Sequence, residues 1–145
     1  MADKTTPTAN GMTLDEAHHI IAAARRKALE IGVPMNIAVV DTGNNLTAFA
    51  RMDGAWLGSI DIAMSKAKTA RFFDMTTADL GAASQSGESL FGINTSNDGN
   101  IIIFGGGIPL VRGGVVVGAV GVSGGAVPQD IEVAEAGAES FNNPQ

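Results

Sequence analysis

Two adjacent histidines near the start of the chain, His18 and His19, carry its only imidazoles. On a helix, His18 lies at the flank of the apolar face, whereas His19 points almost the opposite way, because side chains one residue apart diverge. A neutral imidazole at an apolar border can ligate an iron. We therefore take His18 as a candidate iron ligand. The alternative is a surface histidine that holds no ligand.

A run of three glycines, Gly105, Gly106 and Gly107, is the second candidate site. Successive backbone N–H groups in such a run can form a concave nest for a carboxylate or a phosphate. The spacing is not that of a P-loop, and a plain tight connection between strands is the alternative. The cations predicted to assist an anion here are Arg51, Lys66 and Arg112.

Acidic side chains recur along the last predicted helix, from Asp130 to Glu139. Carboxylates at this spacing can gather iron or another hard cation, although an ordinary solvated helix face is the alternative. Glu88, in a loop, is a lone candidate base without an identifiable partner. Only the two histidines could serve as the base for a serine nucleophile, so no residue is assigned a catalytic role and the question of enzymatic activity stays open.

Composition narrows the class of protein. The 145 residues suit one domain, 45% of them are hydrophobic and none is cysteine, which removes disulfides and thiolate chemistry. The formal charge is −6 with no basic stripe, so we expect no nucleic-acid partner. No apolar run approaches the roughly 20 residues of a membrane span. The first residues show no secretory signal, and we expect a cytoplasmic protein unless a signal peptide has been removed.

The elements that position these residues follow from periodicity and turn signals. Thr13 and Glu16 form a capping box for a first helix that Gly32 and Pro34 end. Arg112-Gly113-Gly114 predicts a hairpin between two apolar strands. The strands are predicted at Asn36–Val40, Asn45–Met52, Ile101–Phe104, Ile108–Val111 and Val115–Val122, and the later helices at Ser59–Phe73, Thr76–Ser84 and from Pro128 to about Ser140.

The resulting order, α-β-β-α-α-β-β-β-α, predicts an α/β (α+β) fold: a five-stranded antiparallel sheet with helices packed on it, and the three C-terminal strands at its middle. We expect a mobile arm at 1–11, a single domain at 12–141 and a frayed tail at 142–145. Residues 85–100 form a glycine- and serine-rich loop that is long for a compact domain, which suggests a binding loop or an interface.

Four motifs in this order are similar to those of a known family. They are Leu14-x-x-Ala17, Val39-Val40-Asp41-x-x-Gly43 with Arg51-Met52-Asp53-Gly54-Ala55, Ser65-Lys66-Ala67-Lys68-Thr69-Ala70, and the glycine-rich stretch from Gly106 to Gly125 followed by Asp130. The chain resembles the heme-binding-protein-S-like (HbpS-like) or GlcG-like family, whose relatives include DhaG-type proteins and the C-terminal domain of PduO-type cobalamin adenosyltransferases. The resemblance implies a profilin-like fold, homo-oligomers such as tetramers or octamers, and, in some members, heme binding.

Three functions remain open from the sequence. The first is an accessory protein that binds heme or another tetrapyrrole, with His18 near the iron and Arg51, Lys66 or the amides of Gly105–Gly107 holding the propionates. The second is a cofactor-free enzyme for a small carboxylate or carbonyl metabolite, in which the glycine nest stabilises an oxyanion and Lys66 or Glu88 moves protons. The third is a structural partner in an enzyme complex.

Overall fold

Four helices and four strands make up the protein, here a computed structural model that describes residues 11–143. Two short 3-10 turns, Ile93–Thr95 and Asn97–Gly99, lie in the long loop. The elements are α1 (Leu14–Ile31), β1 (Asn36–Val40), β2 (Leu46–Arg51), α2 (Gly58–Phe73), α3 (Thr77–Ala83), β3 (Gly107–Arg112), β4 (Val115–Ser123) and α4 (Val127–Asn142).

The strands form one antiparallel sheet in the order β2-β1-β4-β3, with helices on both faces. Side chains alternate between the faces, as the two-residue period of a strand requires. Ile37 and Val122 lie opposite each other and pack into the core shared with α1 and α4. Ala38 and Ala119 point the other way and pack against Ala67 of α2. The result is a three-layer sandwich of α1 with α4, the sheet, and α2.

The contact between α2 and the sheet is a backbone contact. A Cβ atom added to Gly121 would lie 2.1 Å from the carbonyl oxygen of Ala63 and 2.4 Å from the nitrogen of Ala67. Only glycine on the strand and small residues on the helix permit this approach. The close packing places the neighbouring residue of the helix, Lys66, directly over the end of β4.

The predicted capping box, the end of the first helix and the hairpin turn, which depend only on neighbouring residues, are confirmed. The hydroxyl of Thr13 accepts from the Glu16 N–H at 3.1 Å, and the Glu16 carboxylate accepts from the Thr13 N–H at 3.0 Å. Gly32 ends α1 with a positive φ of 73°. The β3–β4 hairpin turns at Gly113 and Gly114, whose φ values of 57° and 79° suit a type I′ turn.

The predicted strand at Ile101–Phe104 is wrong, so the sheet has four strands and the order is α-β-β-α-α-β-β-α. This segment is an extended connection, in which the Ile102 N–H donates to the Thr69 hydroxyl at 3.1 Å instead of to a neighbouring strand. The three C-terminal strands are consequently not the middle of the sheet, since β3 is its edge. The mixed α/β class with an antiparallel sheet is confirmed.

The predicted arm at 1–11 and tail at 142–145 fall mostly outside the described residues and stay predictions. Asn142 is the last residue of α4, and its side-chain oxygen accepts from the Val111 N–H at 2.8 Å. Helix α4 therefore continues two residues beyond the predicted end. Among the helices of residues 11–143, none has the length and apolar content that crossing a membrane requires.

Candidate functional site

Lys66, one of the predicted site residues, is a buried cation in the middle of the molecule. Its side chain has no exposed surface, and Nζ donates to the Val122 carbonyl oxygen and to Oδ2 of Asp130, both at 2.9 Å. The ring centre of Phe104 lies 5.1 Å from Nζ. Burial lowers the pKa of Lys66 from its ordinary value, and the Asp130 carboxylate opposes this shift.

Asp130 holds Lys66 and is itself held by backbone amides. Its Oδ1 accepts from the N–H groups of Gly124 and Gly125, at 3.1 and 3.0 Å. These donors precede α4, and the carboxylate lies in the first turn of that helix, where a negative charge is favoured. The pair thus ties α2, the end of β4 and the start of α4 together.

The three predicted nest glycines are buried, and two of them, Gly106 and Gly107, lie against Lys66. Gly106 has a φ of +124°, and a Cβ atom there would lie 2.7 Å from Lys66 Nζ and 2.6 Å from the Val122 carbonyl oxygen. The Gly107 N–H donates to the Thr77 hydroxyl at 2.9 Å. The structure therefore brings Lys66 and Gly106 together, but the Gly107 amide is used inside the protein, and an anion would have to displace Thr77 to reach it.

His18 and Arg51 are exposed, and neither forms a hydrogen bond or an ion pair with Lys66, Asp130 or the glycine run within residues 11–143. His18 is exposed on the outer side of α1. Arg51 is exposed at the end of β2, where it borders a shallow depression of about 250 Å³ together with Arg25 and Leu29 of α1. The predicted site residues thus form separate groups, since Lys66 is buried with Gly106 whereas His18 and Arg51 are exposed.

A groove of about 500 Å³ lies between the first turns of α1, the tip of the β3–β4 hairpin and the end of α4, and His19 lines it. Arg112 crosses this groove: it pairs with Glu16, donates to the Gly11 carbonyl oxygen at 2.9 Å and lies 5.2 Å from the ring centre of Phe141. Burial opposes ionisation of Glu16, but hydrogen bonds from Arg112 and Thr13 outweigh it and lower the pKa of that carboxyl.

Asp130 was predicted as part of the family motif and as one of the acids that either gather a cation or form a solvated helix face, but its pairing with Lys66 was not predicted. The other acids of that helix, Glu132, Glu135 and Glu139, are exposed. The usable signal was the pair of glycines before Pro128, which leaves free amides at a helix start for a carboxylate to accept from. Within residues 11–143, no group of three or more histidine or acidic side chains is placed to hold a metal ion.

The fold and the glycine-rich motifs define a class of small α/β proteins, and comparison with known families identifies it. A family model described as "Haem degrading protein HbpS-like" matches residues 12–139. The chain belongs to the HbpS-like family, as the resemblance of its motifs predicted.

Relatives cover nearly all of the chain. An uncharacterized 15.0 kDa protein from the dhaT-dhaS intergenic region of Citrobacter freundii is 44% identical over 131 residues, which are 90% of this chain and 92% of that protein. The corrinoid adenosyltransferase PduO of Citrobacter freundii is 36% identical over 95% of this chain. Since that match covers only 41% of PduO, the chain corresponds to a part of that enzyme.

Solved structures share the whole fold. The Klebsiella pneumoniae protein ORFY is 39% identical with a TM-score of 0.90, and the match covers 100% of this chain and 99% of that one. A PduOC:heme complex is 33% identical with a TM-score of 0.86, over 90% of this chain and 95% of that one. One of these two structural relatives is therefore known in complex with heme.

Proposed function

We propose that the protein binds heme or a similar flat tetrapyrrole along the outer face of α1. The family and the heme complex of PduOC support this proposal. Its main structural support is a set of four side chains along one face of α1, which we call the α1 stripe. Leu14, His18, Arg25 and Leu29 are spaced four, seven and four residues apart, so they share one face, and all four are exposed.

This stripe supplies the contacts that heme requires. Leu14 and Leu29 are 53% and 56% exposed, which is unusual for leucines and provides apolar surface. The His18 imidazole can ligate the iron through a neutral nitrogen. Arg25 lies seven residues further, or about 10 Å along the helix axis, beside Arg51. We assign the two propionates to these guanidinium groups, because arginine binds carboxylates in bidentate fashion.

Lys66 and the glycine run receive no heme contact in this proposal. The Lys66 ammonium is buried and paired with Asp130, whereas Arg51 is open to solvent. Binding of propionates at Lys66 would require Asp130 to lose its partner inside the protein, which is costly. Bound heme would supply redox chemistry at its iron, and this chain would orient the ring and provide one imidazole.

A single α1 stripe covers only one face of a flat ring, so we also propose that a second copy of the chain covers the other face. The exposed leucines on α1 are consistent with such a contact. Light scattering of the purified protein, with and without hemin, tests it. A mass of 14.7 kDa at all micromolar concentrations in both conditions would contradict self-association.

Hemin titration followed by the Soret band tests the proposed ligand. We expect His18→Ala to shift the band and weaken binding at least tenfold, and Arg25→Gln with Arg51→Gln to weaken it without a change of ligand spectrum. His19→Ala is the matched control, because its imidazole faces the groove of Arg112 instead. Loss of binding in His19→Ala alone would move the site to that groove, and an absence of saturable binding in the wild type would overturn the proposal.

A further inference from the structure

A second cleft, of about 420 Å³, lies on the far side of the sheet from α1. One wall is the outer face of α2, where Asp61, Ser65 and Lys68 occur at intervals of four and three residues and so point in the same direction. The other wall is the end of the long loop, residues 97–100. The cleft is remote from the stripe assigned to heme, so a ligand bound in it would be independent of that assignment.

The loop wall is a tight turn with an unusual backbone. Asn97 and Asp98 both have left-handed φ values, 50° and 58°, and Gly99 follows at 75°. Hydrogen bonds hold this turn, with the Gly99 N–H donating to the Ser96 carbonyl oxygen at 2.9 Å and the Asn100 N–H to that of Asn97 at 3.1 Å. Asn97, Asp98 and Asn100 of this turn line the cleft.

The polar groups of this cleft have no partners inside the described part of the chain. Asp61, Lys68 and Asp98 line the cleft, yet none of them forms an ion pair with any residue of 11–143. Ser65 is only 8% exposed, and its hydroxyl makes no hydrogen bond to another described group. The hydroxyl oxygen is not one of the fully buried atoms that lack a partner, so it is open to the cleft and can bond to water or to a ligand there.

The cleft also has an apolar end. Met64 is partly buried, and Phe72, two turns beyond Ser65, is 53% exposed. An exposed aromatic ring beside unpaired charges of both signs offers contacts to an apolar body that carries a positive and a negative group.

We propose that this cleft binds a small zwitterion, an α-amino acid with an apolar or aromatic side chain. Lys68 binds the carboxylate, the Asp98 and Asp61 carboxylates bind the ammonium group, and Ser65 completes the hydrogen bonding. Phe72 and Met64 contact the side chain of the ligand. The two acids against one base give the cleft a charge of −1, which disfavours phosphates and dicarboxylates. The Lys68 ammonium disfavours a bare divalent cation at the same place.

Chemical-shift titration of the ¹⁵N-labelled protein with L-phenylalanine tests this proposal. We expect saturable shifts confined to α2 and residues 93–102. Phenethylamine, which lacks the carboxylate, and 3-phenylpropionate, which lacks the ammonium group, should each bind at least tenfold more weakly. Titrations with L-leucine and with L-methionine extend the test to aliphatic side chains, and CaCl₂ serves as the probe for a cation site.

Single-residue variants test whether the named side chains bind the ligand. Lys68→Gln and Asp98→Asn should each weaken binding at least tenfold, and asparagine tolerates the left-handed backbone at position 98. Lys27→Gln, a lysine on α1, is the matched control and should bind as the wild type does. The proposal is overturned if none of the three amino acids saturates, if Lys68→Gln binds normally, or if CaCl₂ alone produces the shifts.

Discussion

The ammonium of Lys66 lies 2.9 Å from the carboxylate of Asp130, although 64 residues separate them in the chain and neither side chain has more than 3% of its surface exposed. This ion pair joins the middle of α2 to the first turn of α4. A buried charge is tolerated only when its partner and its other hydrogen bonds are in place. Removal of either partner should therefore lower the unfolding free energy by a measurable amount.

Removal of one partner should destabilise the protein more than removal of both. In Asp130→Leu, the Lys66 ammonium stays buried without a counter-charge, and we expect a loss of about 3–5 kcal/mol of unfolding free energy. The double variant Lys66→Met with Asp130→Leu should recover part of this loss. Urea unfolding of the four proteins of this double-mutant cycle gives the coupling energy. Strictly additive single losses would show that the two groups do not act as a pair.

Alkaline pH should stabilise the wild type relative to Lys66→Met. Because burial lowers the folded-state pKa of Lys66 below its ordinary value of 10.5, the unfolded chain binds more protons between those two pKa values. The unfolding free energy of the wild type therefore rises with pH in that window, and the methionine variant lacks this contribution. Unfolding curves from neutral pH to 10.5 measure the difference. Parallel pH dependences would contradict the assigned cause of the shift.

Gly106→Ala should destabilise the protein more than an alanine substitution at another glycine that also has a positive φ. Position 106 combines a φ of +124° with a Cβ that would lie 2.6 Å from the Val122 carbonyl oxygen. Gly87, with a φ of +90° and no atom within 4 Å of its added Cβ, is the matched control for the backbone cost alone. We expect Gly87→Ala to lower the unfolding free energy by about 1 kcal/mol, and Gly106→Ala to lower it by at least about 2 kcal/mol more. Thermal or urea unfolding measures both values.

Thr77→Val should leave the buried Gly107 N–H without an acceptor. The valine side chain keeps the shape of threonine, so the substitution removes the 2.9 Å hydrogen bond and changes little else. We expect the unfolding free energy to fall by about 1–3 kcal/mol. Thr95→Val removes an exposed hydroxyl that donates to the Gly92 carbonyl oxygen. That control should change the unfolding free energy by less than about 0.5 kcal/mol. Equal effects of the two substitutions would mean that water replaces Thr77.

Sequence reasoning succeeded where structure depends on neighbouring residues. The capping box of Thr13 and Glu16 and the turn at Gly113 and Gly114 are set by side chains within a few positions of each other. The prediction for Ile101–Phe104 failed because β-branched composition does not reveal whether a partner strand is available. In this chain the available partner is the Thr69 hydroxyl of a helix, 33 residues away.

The interior of the candidate site could not be predicted in the same way. Lys66 stood in a recognisable motif, but whether it faced solvent or protein depended on Asp130, a residue whose neighbours on α4 are exposed acids. Helical spacing alone assigned the same environment to all of them. Arg71, by contrast, pairs with Asp74 only three residues further along the chain.

The contact of Gly121 with Ala63 and Ala67 has a mechanical consequence. Where two backbones touch, no flexible side chain lies between them to rotate and take up a small displacement. A shift of α2 caused by a molecule bound on its outer face would therefore be transmitted to β4 at full amplitude, and α2 with the sheet would move as one stiff body.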